Sequence, residues 1–303
     1  MTMRITDATL IRTVLGDIAG LEGRLSSTQA RLSSGKQLTQ PSDDPYATGR
    51  ALGLRADLAA TRQHGANVDE ASSWADVTDN ALSGISDVVS RARELLVRGA
   101  TDTVGASARI AIAEEIDQLA SGAKDQANAA YDGRYVLAGT AVHTPPYTPG
   151  SDVFGGDTTA MLREIGPNTT IRVNQSAGDI LGSGTAAADG KLLDVLRTIS
   201  AHLRSGVPAD QAALGSSDLQ RLDATADALG VLRAQTGAVA NRLSLAKDRL
   251  GQSEQTTVTA LSNVEDADLA KTLVDFSTQQ AAYEAALKAG ARLVQPSLLD
   301  FLR

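Results

Sequence analysis

The sequence predicts a mainly α fold: an elongated rod of long antiparallel helices, with both chain ends in one terminal coiled coil and a small β-containing insert. Three observations carry this. Apolar residues recur at alternating three- and four-residue spacings near both ends and again between Leu229 and Leu250, the period of a helix seam. Aromatic residues are only 3%, with Trp74 the single tryptophan, so a core of leucine, valine, isoleucine and alanine suits thin helical layers. Turn-forming glycine and proline concentrate in one stretch, residues 139–190.

The first stripe is Ile11, Val14, Ile18, Leu21, Leu25, Thr28 and Leu32. Gly16, Gly20 and Gly23 interrupt it, each weakening an isolated helix by about 1 kcal/mol relative to alanine. This segment is amphipathic but a poor helix alone, and it gains order with a partner. Ser33, Ser34 and Gly35 end it, and Pro41 to Pro45 form a rigid turn. Asp44 then caps a second helix with Pro45 at its first position. That helix runs through Leu58, Val68, Trp74, Leu82 and Leu95 to about Gly99. A third fits Ala106–Ala130, with Ile110, Ala113, Ile116 and Leu119 on one face.

Short apolar runs follow at Tyr135–Leu137, Met161–Ile165 and Ile171–Val173, the last two flanking a Gly166–Thr169 turn. Helical pattern returns from Lys191 to about Gly206. A very long helix is expected from about Asp210 to Ser262, with a stripe at Leu229, Leu232, Thr236, Val239, Leu243, Ala246 and Leu250. At 1.5 Å per residue it approaches ~75 Å.

Asp266 and Asp268 open the last helix. Its expected seam is Leu269, Leu273, Phe276, Gln280, Tyr283, Leu287, Gly290 and Val294. After Pro296 come Leu298, Leu299, Phe301 and Leu302, an apolar density where chain ends are usually polar and frayed, so burial against a partner is expected. The layout divides into a terminal helical domain (1–40 and 264–303), a long-helix domain (41–138 and 189–263) and a β-rich insert domain (139–188).

Composition narrows the function. A net charge of −8 and a pI near 4.9 argue against nucleic acid, whose phosphates need a basic surface. Arg91, Arg93 and Arg98 read as a solvated helix face. There is no cysteine, which removes disulfides and thiolate zinc sites. No apolar run is long enough to span a membrane, and the first residues lack a signal-peptide core. The chain is therefore read as cytosolic, or as exported by a route that ignores signal peptides.

Catalytic, cofactor and metal sites are expected to be none. His64, His143 and His202 have no ligand-spaced neighbours and read as surface or loop residues. Gly182, Gly184 and Ala187 fit Gly-x-Gly-x-x-Ala, yet no strand with an acidic residue follows, so they read as a linker. Asp43 and Asp44 are explained by a turn and a cap, and Ser33 and Ser34 have no activating histidine.

The stretch LSSGKQLTQPSDDPYATGRAL from Leu32 resembles the bacterial flagellin superfamily, in which a Leu-Ser-Ser-Gly segment precedes a Ser-Asp-Asp-type turn. ANAAYDGRYVLAGT (Ala127–Thr140), TPPY (Thr144–Tyr147) and PSLLDFLR resemble its hook–filament junction members. Flagellins proper usually carry a longer asparagine-rich start and a Gln-Ala-Asn-type ending, where this chain has Pro296. The resemblance covers both helical arms, about two-thirds of the chain.

It implies an extracellular, non-enzymatic structural subunit, exported unfolded without a cleaved signal. That subunit forms a homo-oligomeric ring between the first hook-associated junction protein and flagellin. An export chaperone would bind its C-terminal part. Carried onto this chain, the polymer contacts are Ile11, Val14, Ile18, Leu21, Leu25, Leu32, Leu269, Leu273, Phe276, Tyr283, Leu287, Val294, Leu298, Leu299, Phe301 and Leu302. A minor flagellin building the filament is the alternative within this class. A cytoplasmic signalling coiled coil is the alternative outside it, disfavoured by the proline- and glycine-rich insert.

Overall fold

The computed structural model describes residues 3–294, with side chains given for Thr9 and residues 11–291. The fold is mainly helical. The helices are α1 (Met3–Ser34), α2 (Pro45–Gly99), α3 (Ala106–Ala127), α4 (Leu192–Ser205), α5 (Pro208–Leu214), α6 (Ser217–Glu265) and α7 (Leu269–Val294). Two antiparallel ladders accompany them: β1 (Ala130–Tyr131) with β2 (Arg134–Tyr135), and β3 (Leu162–Gly166) with β4 (Thr169–Arg172). The chain forms two compact units, Met1–Ala60 with Ser253–Arg303, and Thr61–Gln252.

The second unit holds the larger core. Ile112, Ala113, Ile116, Ala120 and Ala123 of α3 are buried against Leu82, Ile85, Val89, Leu95 and Leu96 of α2 and Leu192, Leu196, Ile199 and Leu203 of α4. The α3 face is thus turned from the expected one, and Ile110 is exposed. The packed face shares Ala113 and Ile116 with the expected one and takes Ile112, Ala120 and Ala123 in place of Ile110. Within this unit α2 and α6 run antiparallel, because Asp69 pairs with Lys247, Asp79 with Arg233 and Arg93 with Asp223. The expected α6 stripe faces inward: Leu229, Thr236, Leu243, Ala246 and Leu250 are buried.

Pro45 opens α2 as expected, with Asp44 Oδ1 accepting the Ala47 N–H at 2.9 Å. The long helix expected from Asp210 is instead two. The α5 helix ends at Leu214, Gly215 and Ser216 interrupt, and α6 starts at Ser217. Glycine followed by two serines has poor helix propensity, and a tertiary bond fixes the break. His202 Nδ1 lies 2.6 Å from Asp218 Oδ2, and Asp218 is only 1% exposed. His202 is therefore a half-buried helix residue tying α4 to α6, not a surface or loop histidine. The remote partner of a lone histidine has no sequence signal.

The Gly166–Thr169 turn joins β3 to β4 as expected, with Asn168 at φ 54°. The other hairpin sits earlier than expected, turning at Asp132 and Gly133, and leaves Val136 and Leu137 fully buried outside it. Glu70 of α2 fastens both hairpins, accepting Arg134 at 2.8 Å and Arg163 at 3.0 Å. The Arg134 guanidinium also lies 5.5 Å above the Trp74 ring. Tyr147, the tyrosine of TPPY, is buried and donates its hydroxyl to the Gly182 carbonyl at 2.6 Å, which burial reinforces by raising its pKa. Gly182 and Gly184 both have positive φ in the turns that follow, so they shape a linker as expected.

Gly139 is required at its position. It has φ +75°, and a Cβ there would meet the Asp157 carbonyl oxygen at 2.1 Å. Asp157 closes this crossing by accepting the Thr140 hydroxyl at 2.6 Å, the Thr140 N–H at 3.0 Å and the Thr159 N–H at 2.8 Å. Those bonds, the Thr140 hydroxyl first, lower its pKa to about 2.

Two outcomes follow. Replacing His202 with Ala should lower the stability of this unit by about 2 kcal/mol in urea unfolding, and adding Asp218→Asn should recover part of it. The Asp157 crossing, whose carboxylate pKa is depressed, should be intact above the ordinary carboxylate range near ~4. It should open as pH falls through about 2, read as faster exchange of the Thr140 and Thr159 amides. Asp157→Asn should abolish that acid step.

Candidate interaction surface

In the first unit α1 and α7 pack antiparallel. Thr28 Oγ1 donates to Gln279 Oε1 at 2.8 Å. About 15–21 Å further toward the start of α1, Val14 and Ile18 lie against Gly290, within 3.4 Å of where a Cβ would stand. On α1 the seam is the expected one: Ile11, Val14, Ile18, Leu21, Leu25 and Leu32 are half-buried and Thr28 is buried. Partnering with α7 thus accompanies helix through Gly16, Gly20 and Gly23.

On α7 the seam is displaced by one position. The residues facing α1 are Thr272, Phe276, Gln279, Tyr283, Ala286 and Gly290, buried or half-buried at four-three spacing. Phe276, Tyr283 and Gly290 belong to the expected seam as well. Leu269 (53% exposed) and Leu273 (56%) lie outside that row, as does Val274, and Leu287 (43%) stands at its edge, lining an apolar groove with Val14 and Ile18 of α1. Two adjacent stripes share one row of residues, so periodicity alone does not choose between them. Packing chooses the stripe with smaller side chains, because threonine, alanine and glycine let α1 come close. The leucines are left as an outer strip. Val294 ends α7, but its side chain lies outside the described residues, as do Leu298, Leu299, Phe301 and Leu302 entirely.

A joint fixes the register of the pair. Gly35 takes φ +67° after α1. The Gln37 N–H donates to the Glu265 carbonyl at 2.6 Å, and the Ala267 N–H to the Gly35 carbonyl at 2.9 Å. Lys36 Nζ bonds Asp266 Oδ1 at 2.6 Å, which raises the lysine pKa and lowers that of the carboxyl. Glu265 is 4% exposed and is held by Arg55, with Nε–Oε1 at 2.8 Å and Nη2–Oε2 at 2.9 Å. Asp43 accepts Thr39 Oγ1 at 2.8 Å and the Gln40 N–H at 2.9 Å, which lower its pKa in that order. Asp268 Oδ1 accepts the Lys271 N–H at 3.0 Å at the start of α7. The LSSGKQLTQPSDDP stretch is therefore architecture. Its aspartates serve as a turn and a cap.

Among the described residues no group of His, Asp or Glu is placed to hold a metal ion, and no helix is long and apolar enough to cross a membrane. Arg91 pairs with Glu94 and Glu115, and Arg93 with Asp223, so that face is neutralised by carboxylates.

Comparison with known proteins agrees with this arrangement. Residues 17–142 match the bacterial flagellin N-terminal helical region, and residues 209–302 match the bacterial flagellin C-terminal helical region. The chain is 26% identical over 281 residues to flagellar hook-associated protein 3 of Escherichia coli K12, covering 86% of this chain and 87% of that protein. It is also 26% identical over 276 residues to flagellin FlaB1 of Treponema pallidum, covering 90% of each. A solved structure of a putative flagellar hook-associated protein from Vibrio parahaemolyticus shares the fold with a TM-score of 0.66 at 20% identity, covering 74% of this chain and 100% of that one.

The close approach at Gly290 generates a test. Gly290→Leu should push α1 from α7, with loss of far-UV ellipticity from the glycine-rich α1 and an earlier first melting step. The second unit should melt unchanged.

Proposed function

This chain belongs to the bacterial flagellin family, and on that footing we propose that it is a junction subunit that joins a hook-side junction protein to the flagellin filament. The observation that carries the reading is the outer strip of α7. Leu269, Leu273, Leu287 and neighbouring Val274 are exposed although α7 already has an intramolecular partner. Fully burying one such side chain contributes about 1.5–3 kcal/mol, so neighbouring subunits have an apolar strip to cover. The two sides of the α1–α7 pair then divide the work: one closes the subunit, the other closes the assembly. Val294, Leu298, Leu299, Phe301 and Leu302 extend the proposed polymer contacts, and Ile11, Val14, Ile18, Leu21, Leu25 and Leu32 support them from α1.

The family places the chain among the structural components of the bacterial flagellum, which are not enzymes. The finer steps are part of the proposal: a homo-oligomeric ring, contact with the first hook-associated junction protein and with flagellin, export without a cleaved signal, and a chaperone on the C-terminal part. The glycine-weakened α1 supports export in an unfolded form, since little helix needs to be undone before threading. A filament-building flagellin remains the second reading, favoured by the match to the Treponema pallidum flagellin at the same identity as the hook-associated relative.

Sedimentation of the purified chain with and without hook-junction fragments separates the readings. A junction subunit should add in limited amount to fragment ends and should not grow alone; long filaments would establish a flagellin. Leu273→Asp and Leu287→Asp should abolish incorporation while changing monomer stability by no more than about 0.5 kcal/mol, because both positions are exposed in the subunit. Removing Ser297–Arg303 should also impair incorporation more than folding. Normal assembly of the aspartate variants would refute a polymer role for the strip.

A further inference from the structure

Leu273, Gln280 and Leu287 stand at heptad spacing on α7 and all three are exposed, so they share one flank of that helix. Leu269 extends the row by one turn at its start and Ala291 by one turn at its end, both exposed. The row is symmetric about Gln280: Leu273 and Leu287 are each seven residues from it, and Leu269 and Ala291 each eleven. At the Leu287 end the flank opens into a groove of about 320 Å³ with almost wholly apolar walls. Val14, Leu15 and Ile18 of α1 form one wall, Leu287 and Ala291 the other, and Gly290 the floor.

We propose that a second copy of this chain covers this flank in the free protein, antiparallel and two-fold symmetric about Gln280. Each copy presents two leucine knobs, Leu269 and Leu273, and one groove, all on the same flank. A head-to-tail contact needs knob and hole on different surfaces, whereas a two-fold axis satisfies both copies at once. A parallel pair would set groove against groove and leave both unfilled. About the antiparallel axis, Leu273 of one copy comes level with Leu287 of the other, and Leu269 with Ala291, so the knobs meet the groove. Gln280 meets its own counterpart on the axis, where two amides can exchange N–H···O bonds and penalise a shifted register. Within the subunit that amide donates to Glu284 Oε1 at 3.4 Å, a long bond that is readily exchanged. The two Glu284 carboxylates fall about 12 Å apart along the helices, beyond a Debye length of about 8 Å.

The size agrees. From Leu269 to Ala291 the row rises ~33 Å, and a face two helices wide spans ~20 Å. Two such faces laid together bury on the order of 1,300 Å² in total, at the lower edge of specific interfaces, so the pair is reversible. It covers Leu273 and Leu287, which the junction reading gives to neighbouring subunits, and so masks that surface until an assembly partner displaces one copy. The masking rests on that reading; the two-fold pair does not.

The chain has no cysteine, so single introduced cysteines report the geometry. Gln280→Cys, on the axis, should form an intermolecular disulfide under mild oxidation of the full-length protein, without hook fragments. Ala282→Cys, exposed on the other flank of α7, and Leu273→Cys, whose two copies would lie ~21 Å apart, should link several-fold less. Mixing Leu273→Cys with Leu287→Cys protein should restore linkage, with ellipticity confirming the fold of each variant. Sedimentation of the unmodified chain should show a concentration-dependent dimer, which Leu269→Asp weakens by about tenfold or more. Self-linkage of Leu273→Cys equal to that of Gln280→Cys would make the pair parallel and overturn the proposal. Equal yields from Gln280→Cys and Ala282→Cys, or a monomer without linkage, would overturn it as well. Addition to hook fragments judges the junction reading separately, because its loss in Leu273→Asp stands whether or not Gln280→Cys links.

Discussion

Everything in the first unit depends on how closely α1 and α7 can approach. The small residues Thr272, Ala286 and Gly290 allow that approach, and Thr28 bonded to Gln279 gives it one polar registration point inside the seam. A polar pair inside a helix seam adds little net stability, but it penalises any sliding that would leave one partner unsatisfied. The same preference for small residues inside sets the large ones outside. Closeness within the subunit and stickiness beyond it are therefore two results of one choice.

Much of this was legible in the chain itself. The α1 seam, the cap at Asp44, the Gly166–Thr169 turn and the α6 stripe all follow from local periodicity and turn chemistry, which the structure leaves undisturbed. What local pattern could not resolve was a choice between near-equal faces. On α7 two stripes share Phe276, Tyr283 and Gly290; on α3 the face through Ile110 competes with that through Ile112. On α7 packing took the smaller Thr272 and Ala286 inward and left Leu273 and Leu287 more exposed. The break at Gly215 depends on Asp218 meeting His202, a contact between segments that no local window spans. Leu298, Leu299, Phe301 and Leu302 fall outside the described residues.

The second unit shows why short motifs can mislead when read as chemistry. Gly182 and Gly184 satisfy a nucleotide pattern because turns and phosphate loops both need positive φ. Here Gly182 carries the chain past Asp189 and accepts the Tyr147 hydroxyl, and Gly184 carries it past Asp152. The arginines and aspartates that fill the α3–α4 face likewise work on one another. Arg197 bridges Asp117 and Asp152, and Lys124 reaches Asp152 at 2.9 Å from a side chain only 9% exposed. Such a network holds loops to helices with directional bonds, where the 3% aromatic content leaves few bulky side chains to fill irregular space.

The joint after α1 has a further consequence, for salt. Its three ion pairs differ in access to solvent: Lys36 and Asp266 are 45% and 44% exposed, whereas the Glu265 carboxylate, which both Arg55 and Lys36 reach, is 5% exposed. Mobile ions shield the Lys36–Asp266 pair at a Debye length of about 8 Å in physiological buffer, and reach the Glu265 carboxylate less, although its partner Arg55 is 58% exposed. Rising ionic strength thus loosens the outer clasp and spares the inner one, and the two backbone bonds at Gly35 and Glu265 are indifferent to it. A connection built in this way keeps its helices in register across media of very different salinity.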